Sequence, residues 1–65
     1  MIGKTGRVSG RIGPGRVGEV MISIRGGSEA FFAHPNTSGE TIDVGALVIV
    51  TDFQAPRTAY VDRLS

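Results

Sequence analysis

Sixty-five residues with no cysteine, a single histidine and a net charge of +1 exclude disulfide frameworks, thiolate metal sites and histidine clusters. A chain this short buries only about 60% of the surface its unfolded form exposes, so residues 1–65 must form one domain held by an apolar core and a backbone ladder. No apolar run approaches the ~20 residues of a membrane span, and residues 1–6 lack the apolar centre of a signal peptide.

Ten glycines and three prolines punctuate a sequence in which Val, Ile, Thr and Phe outweigh the strong helix formers. That balance favours strands. The first strand is predicted over residues 5–12, with Val8, Gly10 and Ile12 on one face and Arg7, Ser9 and Arg11 on the other. Gly13-Pro14-Gly15 breaks it as a turn. The second strand is predicted over 16–25. Val20, Ile22 and Ile24 form its inward row, Glu19, Met21, Ser23 and Arg25 alternate outward, and Val17 is out of phase. Gly18 offers a bulge to correct that phase.

Gly26-Gly27 reads as a two-residue hairpin turn, and the third strand as 28–34, with Ala30 and Phe32 on one face and Glu29, Phe31 and Ala33 on the other. Residues 35–40 are loop by composition. In 41–45 a single turn is expected, Ile42 and Val44 plugging one end of the domain. The fourth strand is predicted over 46–53. Its run Leu47-Val48-Ile49-Val50 is apolar on both faces, which makes its outer side a candidate contact surface. Residues 54–57 form a turn, and the last strand covers 58–64 with Ala59 and Val61 inward. Five short strands at this spacing, without a crossover helix, predict an all-β fold: a small closed barrel of OB type or, equally compatible with the count, an SH3-like barrel.

Gly13-Pro14-Gly15-Arg16-Val17-Gly18 spells G-x-G-x-x-G, but a dinucleotide site needs a helix after it. A strand pattern follows instead, so these residues read as turn and bulge. Lys4, Arg7, Arg11, Arg16 and Arg25 face only Glu19 in the first 25 residues, a local charge of +4. Such a cluster suits phosphate contacts, yet the overall pI of 8.4 is below that of most nucleic-acid domains. Phe31-Phe32 must split between the two faces; an outward Phe31 beside Met21 makes a small apolar spot. His34 enters a loop with no base or orienting partner implied, the Asn36-Thr37-Ser38 sequon lacks a secretory signal, and the carboxylates are dispersed singly. No catalytic, cofactor or metal site is predicted.

Ile2-Gly3-Lys4-Thr5-Gly6-Arg7-Val8, Pro14-Gly15-Arg16-Val17, the segment Ile42-Asp43-Val44-Gly45-Ala46-Leu47-Val48-Ile49-Val50 and Thr58-Ala59-Tyr60-Val61 together resemble the soluble C-terminal domain of the NfeD family of membrane-anchored proteins. The resemblance implies a five-stranded OB barrel on the cytoplasmic side of a larger membrane protein. It also implies partners of the stomatin, prohibitin or flotillin type. Long members carry a Clp-class serine protease domain, and nothing of it is present here. The sequence departs from the family pattern at residues 25–38, which are longer and richer in Phe and Ser.

Two functions follow. The first is a non-catalytic protein-interaction module of an NfeD-like protein. The second is a nucleic-acid-binding barrel, OB or SH3-like. The candidate binding surface comprises Lys4, Arg7, Arg11, Arg16 and Arg25 with Met21, Phe31, Val48 and Val50.

Overall fold

The computed structural model describes residues 1–64 and holds five strands: β1 (Thr5–Gly10), β2 (Gly18–Ile24), β3 (Gly27–Pro35), β4 (Leu47–Gln54) and β5 (Thr58–Arg63). They close into a barrel in the order β1-β2-β3-β5-β4. All neighbours are antiparallel except β3 and β5, which run parallel from Phe32↔Thr58 to Pro35↔Val61. A simple meander pairs consecutive strands and contains no parallel ladder. The β3–β5 pair, with the β1–β4 pair that closes the cylinder, therefore selects the OB-type topology over the SH3-like alternative.

Period-two alternation fills the interior. Val8 of β1, Val20 and Ile22 of β2, Phe31 and Ala33 of β3, Val48 and Val50 of β4, and Ala59 and Val61 of β5 are all buried. Ile12 and Ile42 complete the core at one end. Among the described residues no polar side chain is buried, so the interior carries no desolvated polar group to satisfy. Phe31 meets Phe53 edge-on, with centroids 5.9 Å apart, a favoured aromatic geometry.

Residues 36–46 carry the chain from β3 across that end to β4. Ile42 and Ile12 exchange two backbone hydrogen bonds, of 2.8 and 3.0 Å, and Gly45 N donates to Val8 O at 2.8 Å. The loop thus extends the β1–β4 wall and lowers Ile42 into the barrel.

Several expectations are corrected. Phe31 points inward, 5% exposed, and Phe32 outward, 57% exposed. The pairing Val20↔Phe31 settles a choice that two adjacent identical rings leave open. Val48 and Val50 belong to the core and present no outer surface; the outward members of that run are Leu47 and Ile49, both half-buried. Ile42 plugs the barrel as expected, but Val44 is 63% exposed.

The hairpin turn is Arg25-Gly26, one residue earlier than predicted, because Ile24 pairs with Gly27. Both turn residues have positive φ, 48° and 80°, the type I′ pattern whose twist matches the flanking strands. Arg25 therefore sits at a hairpin tip instead of on the side of β2.

The bulges lie elsewhere too. One extra residue, Ser9, enters β1 between Val8 and Gly10, and another, Thr51, enters β4 between Val50 and Asp52. Thr51 Oγ1 donates to Tyr60 O at 3.1 Å. Gly18 is the point of closest approach to Ile12, and Val17, being outside the strand, needs no phase correction.

Candidate interaction surface

The register places one set of side chains on the outer wall of β2, β3 and β5. Met21 lies across from Ala30 and Glu19 from Phe32; Phe32 is beside Thr58, and His34 beside Tyr60. Val17, just before β2, and Phe32 are largely exposed, and Met21, His34 and Tyr60 are half-buried. Isolated surface apolar groups are ordinary. Here they share one wall with an aromatic pair: the His34 and Tyr60 rings are 5.6 Å apart, tilted by 35°. The Tyr60 hydroxyl donates to Gln54 Oε1 at 3.5 Å.

One end of this wall opens into a groove of about 680 Å³. Its first side is the turn of residues 13–17. Arg16 N donates to Gly13 O at 3.4 Å and Gly15 has φ +73°, so Pro14 and Gly15 occupy the central positions of a type II turn. That is the whole content of the G-x-G-x-x-G string. The opposite side is His34 and Pro35 at the end of β3, with Asn36, Ser38 and Gly39 beyond them and Tyr60 in the wall. No carboxylate lines the groove. The nearest one in the hydrogen-bond network is Asp62, which accepts from Asn36 Nδ2 at 3.4 Å.

The five cations of the first 25 residues do not form one patch. Arg7 donates to Gly45 O at 2.7 Å, and Arg11 pairs with Asp43 at 3.0 Å; both hold the 42–45 loop onto β1. Arg16 and Arg25 flank opposite ends of β2, whose seven residues at ~3.3 Å each separate them by more than about 20 Å. That exceeds the ~8 Å screening length of physiological salt. Among the described residues, neither Lys4, Arg16 nor Arg25 makes a side-chain hydrogen bond or ion pair.

Arg57, which sequence reasoning assigned only to a turn, is structural. It donates to Ala30 O at 2.8 Å, approaches Glu29 at 3.6 Å and lies 4.8 Å above the Phe31 ring. Sequence reasoning also missed the joining of His34 with Tyr60, since only the parallel β3–β5 register brings them together. No three His, Cys, Asp or Glu residues gather in a metal-holding arrangement among the described residues, nor is any helix there long and apolar enough to cross a membrane.

Residues 5–62 match the family model of the NfeD C-terminal domain. No curated protein matches. Among solved structures the chain is similar to the C-terminal domain of stomatin operon partner protein 1510-C from Pyrococcus horikoshii. The two share 34% identity and a TM-score of 0.72 over 100% of this chain and 89% of that one.

Proposed function

Because the chain belongs to the NfeD C-terminal domain family, whose members are membrane-associated, we propose that this barrel is a non-catalytic protein-interaction module of a larger membrane-anchored protein. In this reading it faces the cytoplasm and acts with a scaffold protein of the stomatin, prohibitin or flotillin type in membrane organisation. The observation that carries it is the outer wall of β2, β3 and β5, where Val17 and Phe32 stay largely exposed beside the His34–Tyr60 pair. Exposed aromatic side chains of this kind are enriched in protein interfaces. Further support comes from the solved relative, whose name makes it a stomatin operon partner.

The test is co-purification of the membrane-anchored parent with a stomatin-type protein from detergent-solubilised membranes. Recovery of the pair supports the reading. Absence of any association, with the barrel shown to be folded, refutes it. The nucleic-acid alternative has less support, because two of its five cations already hold the 42–45 loop and the others are scattered. A low-salt titration with single-stranded DNA and RNA, where phosphate contacts are strongest, tests that alternative.

A further inference from the structure

We infer that the groove between the 13–17 turn and the end of β3 receives an extended acidic–aliphatic segment of the protein partner. A partner carboxylate sits on the Arg16 guanidinium, and the neighbouring aliphatic side chain lies against Val17, Pro35 and the His34–Tyr60 rings. This rests on the interaction-module reading and names the chemistry its partner presents.

Three observations on the groove select that occupant. Its electrostatics are one-sided: Arg16 is an exposed cation with no side-chain partner among the described residues, and no carboxylate lines the groove. Its apolar surface comes from Pro14, Val17 and Pro35 together with a tilted ring pair, which suits an aliphatic side chain and contributes no further charge. Its volume of about 680 Å³ falls in the range of sites that enclose a small ligand or a few residues, and far short of a domain-sized partner.

Other occupants fit less well. A nucleic-acid strand presents a phosphate at every nucleotide, and the groove offers one arginine. None of the other cations lines it: Arg7, Arg11 and Arg57 are engaged elsewhere, and Arg25 lies at the far end of β2. A second copy of the chain would have to bring an exposed carboxylate beside an apolar side chain. Among the described residues, Asp43, next to the exposed Val44, is already paired with Arg11, and Glu19, across from the exposed Phe32, already accepts from Ser9 Oγ at 2.8 Å.

The experiment is an NMR titration of the ¹⁵N-labelled 65-residue chain with a blocked hexapeptide of alternating Glu and Leu. Alternating Lys and Leu peptide and a short oligothymidylate serve as comparators. The expected result is saturable movement of the amides of Gly13, residues 15–17, His34, residues 36–39 and Tyr60, with none on adding the Lys peptide. Arg16→Glu should weaken binding about tenfold, as attraction becomes repulsion at a partly exposed pair; Arg16→Lys should retain most of it. Val17→Asp, at an exposed turn position, should weaken it independently, with unchanged spectra of the free protein certifying the fold.

The inference is overturned if the acidic peptide moves no groove amide, or if Arg16→Glu binds it equally. It is also overturned if the Lys peptide or the oligothymidylate binds as tightly, or if the same amides shift on dilution of the protein alone. The parent protein separates this inference from the one beneath it. Association with the stomatin-type partner that survives Arg16→Glu and Val17→Asp removes the groove and keeps the interaction role. Absence of association in the unmodified parent removes the interaction role itself.

Discussion

Gly18 offers the sharpest test of how this small barrel closes. It is buried at the start of β2, and a Cβ built there would lie 2.4 Å from Ile12 Cγ1, 2.9 Å from Ile12 Cα and 3.0 Å from Gly10 O. Its φ lies outside the left-handed region, so Gly18→Ala introduces no backbone strain and would by chain entropy alone stabilise by ~0.4–1 kcal/mol. The steric term opposes this and is larger. Ile12 Cγ1 could swing aside, but Ile12 Cα cannot, because both backbone groups of Ile12 bond to Ile42. Overpacking of this kind costs ~1–3 kcal/mol, and a contact with fixed backbone places the net loss near 2–3 kcal/mol.

Against the roughly 3–10 kcal/mol expected of a domain this size, that is a large fraction. Urea unfolding followed by circular dichroism should show the midpoint falling by ~2 M or more at an m value near 1 kcal/mol/M. The melting temperature should fall by roughly 10–20 °C. Gly15→Ala is the control. A Cβ there meets nothing within 4 Å but the residue has φ +73°, so its loss should stay near the ~1–2 kcal/mol of a left-handed alanine. If Gly18→Ala proves no more destabilising than Gly15→Ala, the closure geometry at Ile12 is wrong.

Phe31→Ala should cost ~3–5 kcal/mol in the same denaturation assay while Phe32→Ala stays within ~0.5 kcal/mol; the reverse order would invert β3. Arg25→Asn should raise stability by about 0.5–1 kcal/mol, because Arg25 occupies the first positive-φ position of the type I′ turn and Asn-Gly is the favoured pair there. Arg57→Ala should lower stability by about 1 kcal/mol, losing the Ala30 carbonyl bond and the Phe31 ring contact at a half-exposed site. Arg57→Lys should recover only part of it, since an ammonium lacks the fork that reaches carbonyl, carboxylate and ring at once.

Strand number, strand spacing and most of the core were legible because period-two alternation in β1, β2 and β5 has one consistent phase. Phase was lost where the pattern is degenerate. Two adjacent phenylalanines, Phe31 and Phe32, and four consecutive apolar residues, 47–50, satisfy either orientation. A one-residue shift exchanges the faces of a strand. The Arg25-Gly26 turn was hidden because Gly26-Gly27 is the better turn signal locally; the Ile24↔Gly27 register overrides it. The groove was not legible at all. It joins residues 13–17 to 34–39 at the Gly18↔Ala33 end of the β2–β3 pair and adds Tyr60 through the parallel β3–β5 ladder, a long-range pairing with no local signature.

The early basic cluster shows why charge counts along a sequence mislead in a closed barrel. β1 pairs with β2 and with β4, and Val8 and, past the strand's end, Ile12 bond to the 42–46 segment, so the arginines of this stretch emerge beside a loop that must be held down. Arg7 and Arg11 serve that loop, leaving Arg16 as the cation next to an apolar wall. Covering Val17 and Phe32, neither of which is fully exposed, releases at most a few kcal/mol at ~25 cal/mol per Å². A millimolar complex already needs ~4 kcal/mol after ordering costs are met. Apolar area alone therefore does not hold a partner here. The groove charge and the apolar wall have to act on the same segment, which is why Arg16 and Val17, adjacent in one turn, are the residues whose alteration should separate binding from folding.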